Sequence, residues 1–494
     1  MSATKQVSKD AIIYGLGNGL TKVLGLILLP FYTSVLTPAD YGVLATVTTF
    51  ITLIVSSVNI GLDGASMYYF YTINDEKARG ELLFTKFVLR LISVVPAVIL
   101  SFFSKQISFL LFNSENYTGL IFISCLLIPA QMLMGEQQQI YRLHHLPWKY
   151  NLMVVLRTVT NLGLGITLVL ALGFGVWGAQ LASFTAAATV FVFSFFYFTR
   201  KIYTYKFNFY WAKKMFAYGY PLIIGGLAIW VCRWSDRIFL LHYRDLTEIG
   251  LYSISDAFSS PLMIINAALQ MSFLPIFWSL YNKDENKNKT TSRKAAAEIW
   301  SFFLCVSVVA AIFLSVFSVD LIRFISNKNF IMGALAVPFL CFALIAAQSQ
   351  QLTRIGLFME KKTKYMSVIA LIAALVNIGL NFYFIPKYGF VGAAFTTLIS
   401  YFLSFLISYI ISNRIFAVEH KTIRNFIFYF IGLGIALFFP FLELVFSVHV
   451  SIFIKIISFF SVLFVPFLLG VIHIKDIGIL KTIFVNRKGA EEIN

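Results

Sequence analysis

The residues of this chain that could do chemistry are charges set inside apolar runs. Lys22, Asp63, Arg90, Arg157, Arg233, Asp236, Arg237, Asp256 and Lys455 all stand within long hydrophobic stretches. A charge in hydrocarbon costs about 2.5–3.5 kcal/mol on insertion scales, so such residues turn toward a bundle interior or water and pair or bind there. Lys22 lies about 15 Å into the first stretch at 1.5 Å per residue. It is either a cavity lysine for an anion or a snorkelling one, and midplane depth makes snorkelling hard. Arg233, Asp236 and Arg237, spaced i, i+3 and i+4, share one helix face. Asp236 can pair with either arginine, which leaves one positive charge over. The cluster is then self-neutralising or lines a cavity. Arg90 and Arg157 sit nearer an end of their stretches, where they snorkel or form a cationic vestibule.

Asp63 and Asp256 either carry a coupling H+ or Na+ or keep buried cations paired, and Asp236 belongs with them. Lys455 is close enough to its end of the last stretch to snorkel. The candidate substrate-binding set is thus Lys22, Arg90, Arg157, Arg233 and Arg237, and the ion-coupling or charge-pairing set is Asp63, Asp236 and Asp256. Deep cations outnumber deep anions, and a net positive pathway suits an anionic cargo. Nothing points to covalent catalysis or a bound cofactor. There is no phosphate-binding glycine loop, no nucleophile elbow and no metal-ligand array. Cys125, Cys232, Cys305 and Cys341 stand far apart in apolar runs and read as core or lipid-facing thiols. His144 and His145 fall in a basic loop and read as a solvated face.

The elements that carry these charges must be membrane-spanning helices. Hydrophobic residues make up 59% of the 494, charged residues only 12%, and mean hydropathy is +0.82. A soluble chain has roughly 25% charged residues. The apolar runs are about 20 residues or longer, the length that crosses a hydrocarbon core of about 30 Å. About 14 such segments follow one another, from 11–36 to 450–473, with 42–71, 250–277, 365–385 and 389–412 among them. The first is too long for a signal-peptide core and is expected to be the first spanning helix. The fold class is therefore an all-α polytopic membrane protein.

Lys and Arg set the orientation. With the N-terminus inside, the outer loops hold only Lys105, Arg244, Arg323, Lys328 and Lys387, and most of the other 34 crowd the inner segments. This predicts cytoplasmic N- and C-termini in the cell's inner (plasma) membrane. It also assigns the net charge of +17 to anionic headgroups and not to nucleic acid.

The chain repeats itself at an offset near 210. Gly175-Val176-Trp177-Gly178-Ala179 recurs as Gly389-Phe390-Val391-Gly392-Ala393, and Asp40-Tyr41-Gly42 is answered by Glu248-Ile249-Gly250. Asn161 pairs with Asn377, and Tyr150 with Tyr365. Two parallel six-helix repeats over 1–205 and 206–420 follow, with two extra transmembrane helices and a cytoplasmic tail over 421–494. Parallel repeats are one of the known transporter architectures.

Taken in order, these motifs resemble a known family. Gly15-Leu16-Gly17-Asn18 through Pro38-Ala39-Asp40-Tyr41-Gly42 resembles the opening of the polysaccharide-transporter (Wzx-like) flippases. Ser235-Asp236-Arg237 with Glu248-Ile249-Gly250-Leu251-Tyr252-Ser253 is similar to that family's second-half signature, and Gly389 to Ala393 to a later helix junction. The wider superfamily includes MATE-type multidrug extruders and lipid II flippases. The resemblance implies a transporter without enzymatic activity, moving a polyprenyl-diphosphate-linked oligosaccharide from the cytoplasmic to the outer leaflet by alternating access. It places the family's cavity cations at Lys22, Arg233 and Arg237. It also implies membrane lipids, a polysaccharide polymerase and other assembly proteins as partners. A lipid II flippase and a multidrug extruder are the alternatives. The extruder predicts dominant buried carboxylates, whereas cations dominate here.

Overall fold

The computed structural model describes residues 3–58, 61–270, 290–354, 357, 364–418, 422–448 and 450–471, and their regular structure is helical. The elements are α1 (Ala3–Val35), α2 (Pro38–Val58), α3 (Leu62–Thr72), α4 (Glu76–Phe102), α5 (Ser104–Phe112), α6 (Thr118–Leu143), α7 (Pro147–Ile166), α8 (Gly175–Tyr197), α9 (Phe209–Tyr243) and α10 (Leu246–Ser259). They continue as α11 (Thr290–Val316), α12 (Ser318–Ile325), α13 (Val337–Thr353), α14 (Lys364–Ile415), α15 (Thr422–Leu444) and α16 (Ile452–Val462). Helices are the expected solution for open segments in lipid, because every backbone N–H and C=O must find its partner within the segment. Polar punctuation sets the starts. Asp75 accepts from the N–H groups of Lys77 and Ala78 at the head of α4, and Asn208 accepts from Tyr210 N–H at the head of α9.

Nine helices among the described residues are long and apolar enough to cross a membrane, or ten if the two arms of α9 count as one span bent by 53°. The chain is a multi-pass membrane protein. The expected 14 segments differ from this count through breaks and continuations. α14 is two helices that meet at a kink at Gly389, so it holds the expected segments 365–385 and 389–412 as separate arms although it counts once among the nine. The expected segment 42–71 divides into α2 and α3, and 250–277 passes beyond residue 270 into residues outside the description. Gly389 has φ 56°, ψ −136°. Gly175, its counterpart 214 residues earlier, has φ 53° and opens α8. Both are left-handed backbone positions that glycine adopts without a Cβ penalty. The sequence repeat is thus matched by one backbone feature.

The chain divides into two compact units: 1–253 with 325–329 and 378–390, and 254–324 with 330–377 and 391–494. This packing division differs from the expected sequence halves because α9 packs on α2, α3 and α4 inside the first unit. There α6 is central, packed by α4, α5 and α8, while α7 lies between α1 and α8. Val47, Leu120, Cys125, Ile128 and Ala187 form part of its buried core. In the second unit α11 packs on α13 and α15, and Trp300 is buried beside Phe405 and Tyr409.

The second unit also corrects one expectation. Lys455 does not snorkel: it is fully buried and its Nζ lies 2.5 Å from Asp320 Oδ2 and 2.6 Å from Glu443 Oε1. The cation holds α12, α15 and α16 together, and its position near a segment end is used for pairing instead of exposure. Lys455→Met leaves two carboxylates facing each other and should cost about 3–5 kcal/mol, the usual loss on breaking a buried pair. Thermal unfolding in detergent measures it, and the fully neutral Lys455→Met, Asp320→Asn, Glu443→Gln variant should recover most of the loss.

Candidate functional site

The densest charge cluster within the apolar helices forms where α3, α4 and α6 meet. On α4, Lys86 and Arg90 stand one turn apart and point the same way. Asp63 lies in the first turn of α3, where the helix N-terminus favours a negative charge. Glu136 and Gln139 share a face of α6. Lys86 Nζ is 2.9 Å from Asp63 Oδ1 and 3.0 Å from Glu136 Oε2. Arg90 reaches the same two carboxylates, at 2.8 Å from Asp63 Oδ1 and 3.4 Å from Glu136 Oε2. Gln139 Nε2 donates to Asp63 O at 2.7 Å and to Ser66 Oγ at 3.3 Å, fixing the start of α3, and Lys86 donates to Gln139 Oε1 at 3.1 Å. Two cations and two carboxylates balance. The balance is not symmetrical in exposure: the side chains of Lys86 and Glu136 are fully buried, whereas that of Asp63 is 43% exposed. Asp63 is therefore the member that meets the surroundings of the unit.

Of the four charges, the sequence singled out only Asp63 and Arg90. Lys86 and Glu136 stand close to the ends of their apolar segments and were not among the charges singled out. The i, i+4 pairing of Lys86 with Arg90 was the signal that could have found them.

A second cluster lies on α9. Asp236 is fully buried and accepts from Tyr252 Oη at 2.7 Å and from Asn381 Nδ2 at 2.9 Å. The Arg237 guanidinium lies over Trp234 at 4.7 Å and over Tyr252 at 5.0 Å, and Arg233 lies over Trp234 at 5.7 Å. A ring face presents its negative quadrupole to a cation, so the aromatic walls hold these arginines in a partly desolvated site. Trp230 ties α9 to α2 by donating to Thr52 Oγ1 at 3.1 Å. Arg157, half-buried on α7, has no carboxylate partner among the described residues. Asp256 is half-buried on α10 in the second unit. Lys22 lies on α1 with its side chain outside the described residues. His144 is not on a solvated face. It is half-buried with its ring edge-on to Phe70, 5.0 Å between centroids, and burial and then Arg79 push its pKa below the ordinary value.

The repeat motifs meet at the N-termini of α2 and α10. Thr37 and Asp40 cap each other: Thr37 Oγ1 donates to Asp40 Oδ2 at 2.7 Å and accepts from Asp40 N–H at 3.2 Å. Asp245, 208 residues on from Thr37, accepts from Glu248 N–H at 2.9 Å. A Cβ on Gly42 would fall 1.8 Å from Leu246 O, and one on Gly250 would fall 1.9 Å from Pro38 O. The contact is reciprocal at the repeat offset, so each helix start lies against the other's backbone. Glu248 also accepts from Phe390 N–H at 2.8 Å, beside Gly389, and burial raises its carboxyl pKa above the ordinary range. Arg244 donates to Pro386 O at 2.8 Å. The motif residues Asp40, Gly42, Glu248, Gly250 and Gly389 thus build one junction.

Comparisons with known proteins fit this arrangement. The family model described as polysaccharide biosynthesis protein matches residues 7–281. The chain is 23% identical over 331 residues to Lsg locus putative protein 1 of Haemophilus influenzae, across 66% of this chain and 78% of that protein. Its fold is similar to the lipid II flippase MurJ in an inward closed conformation, with TM-score 0.69, 16% identity and coverage of 93% of this chain and 98% of that one. It is also similar to an inward-facing multidrug resistance MATE family transporter of the MOP superfamily, with TM-score 0.62, 15% identity and coverage of 82% and 97%. At these identities the structures share a fold.

Glu136→Gln removes one of the two carboxylates that hold Lys86 and Arg90. It should destabilise the protein by about 3–5 kcal/mol, as breaking a buried pair does. The double variant Lys86→Met, Glu136→Gln should recover a large part of it. A double-mutant cycle on thermal midpoints that shows additivity would contradict direct coupling of the pair.

Proposed function

The chain belongs to the polysaccharide biosynthesis protein family, and from that premise we propose that it is a flippase carrying a polyprenyl-diphosphate-linked oligosaccharide from the cytoplasmic to the outer leaflet. The observation that carries this reading is the set of cations placed within apolar helices outside the neutral cluster of α3, α4 and α6: Arg157, and the ring-walled Arg233 and Arg237. Diphosphate is the ligand such cations suit, because guanidinium donates to phosphate oxygens in a fork. The lipid tail needs no site, since it stays in the bilayer. No bond is made or broken, so the work is transport and requires no catalytic group.

The cycle is alternating access of the two repeats, with the N- and C-termini in the cytoplasm. The reciprocal contact of Gly42 and Gly250 then closes the outer side, and the cargo enters from inside. An inside-negative potential favours outward movement of the anionic headgroup by about 2.3 kcal/mol per charge per 100 mV. A coupling H+ or Na+ is assigned to Asp63, a reading supported by its being the exposed member of its cluster.

Two measurements test this. In proteoliposomes, Arg157→Gln and Arg237→Gln should each slow translocation of a fluorescent polyprenyl-diphosphate sugar by about tenfold or more, the loss of one charged hydrogen bond. Variants that are folded and as fast as the parent would sink the cation assignment, and export of organic cations in place of the lipid would favour the extruder. Gly42→Val should hold the outer side open. A cysteine introduced at Thr37 should then react with an impermeant maleimide several-fold faster than in the Gly42 background, and equal rates would contradict the gate.

A further inference from the structure

The broken span α2–α3 packs on the bent span α9, and both are interrupted at the same place. Gly61 precedes α3 with φ 61°, and a Cβ there would lie 2.3 Å from Gly219 O. Gly219 stands at the end of the first arm of α9, just before the 53° bend. Below this contact the two helices build an aromatic surface. Tyr68 of α3 stacks on Tyr218 of α9, with centroids 4.9 Å apart and planes 14° apart. Tyr69 meets Tyr68 at 5.1 Å, Tyr218 at 6.0 Å and Trp211 at 6.0 Å. Lys214 lies among the rings, 5.8 Å from Tyr69 and 5.9 Å from Trp211, with its ammonium on the Tyr210 hydroxyl. The surface is firm, because Phe70, Leu82, Leu83 and Met215 form a buried core behind it.

Aromatic residues and lysine near a helix end often mark the membrane interface. The position of Asp63 argues against that here. In α3 the buried positions are Leu62, Ala65, Ser66 and Phe70, and the exposed ones are Gly64, Met67, Tyr68, Tyr71 and Thr72. At 100° per residue the exposed set and Asp63 span one face of about 180°. Were that face against lipid, the half-exposed Asp63 carboxylate would stand in hydrocarbon, at a cost that intramembrane charges normally avoid. The Asp63 edge of that face therefore opens on water, and Tyr68 stands in the same exposed arc, about 140° round the helix from it.

An aromatic ledge whose Tyr68 and Tyr218 are exposed beside a lysine matches the apolar C–H face of a sugar ring, whose weakly positive hydrogens complement the negative face of the aromatic quadrupole. We infer that Tyr68, Tyr69, Trp211 and Tyr218, with Lys214, form a glycan-binding ledge that reads the sugar part of the headgroup separately from its diphosphate. This rests on the flippase reading above. It divides recognition in two: cations take the diphosphate, common to all such lipids, and the ledge contributes preference among glycans.

The test uses the full chain in nanodiscs and two probes: a bare polyprenyl diphosphate and the same lipid carrying N-acetylglucosamine. The parent protein should bind the glycan-bearing lipid more tightly. Tyr68→Ala and Tyr218→Ala should each weaken that lipid by about five- to tenfold, the worth of a lost stacking contact, while changing the bare lipid by less than about twofold. Tyr68→Phe keeps the ring and should retain the preference. Equal weakening of both lipids, or no weakening of either, overturns the ledge, as does a parent that binds both lipids equally. A parent that binds neither lipid removes the flippase reading itself, and the ledge with it. Bare-lipid affinity also serves as the control for folding in each variant.

Discussion

Asp63, Lys86, Arg90 and Glu136 meet where three apolar helices cross, and none of them could remain there unpaired. A lone charge in hydrocarbon costs several kcal/mol, so each cation on α4 obliges α3 and α6 to bring a carboxylate to it. That obligation fixes more than a contact. It sets the register of α4 against α6, through Glu136, and the place where α3 begins, through Asp63 and Gln139. Once α3 begins at that point, its exposed face and the approach of α9 at Gly61 follow. The aromatic surface and the exposed carboxylate are consequences of one electrostatic requirement met in a medium without water.

The second unit meets the same problem with a different stoichiometry. One lysine, Lys455, takes two carboxylates from different helices. The two cases show why counting charges in spans says little by itself. Cations outnumber anions among the deep residues named from sequence, yet the cluster around Arg90 is neutral once Lys86 and Glu136 are included. The arginines of α9 have a different setting, with aromatic rings at 4.7–5.7 Å. The cluster around Asp63 therefore adds no net positive charge to the apolar helices.

Much of the architecture was legible in the chain, and for a simple reason: bilayer thickness imposes a length on every span, and length is read directly from sequence. The repeat was legible because glycines at fixed offsets serve fixed backbone needs, as Gly175 and Gly389 do with matching positive φ. The breaks were not. The cluster Asn59, Gly61, Asp63 and Gly64 carries turn formers, but glycine and asparagine also occur inside spans, and the close approach of Gly219 to Gly61 comes from another helix. The partners of Asp236 were illegible for the same reason. Tyr252 is 16 residues away and Asn381 is 145, and only packing brings them together. Lys86 and Glu136 illustrate the remaining difficulty: near a span end, one residue can serve as a headgroup contact or as a core ion, and periodicity does not separate these.

The contact of Gly42 with Leu246 and of Gly250 with Pro38 is made by backbone on both sides. Closure of that kind depends on two absent side chains and hardly at all on which side chains stand nearby. In the proposed cycle, residues that contact a cargo can then be exchanged over evolutionary time without retuning the seal, provided the two glycines stay. A transporter built on that plan could take new cargoes through changes in the interior and keep the same moving parts, much as a lock keeps its hinge when its wards are recut.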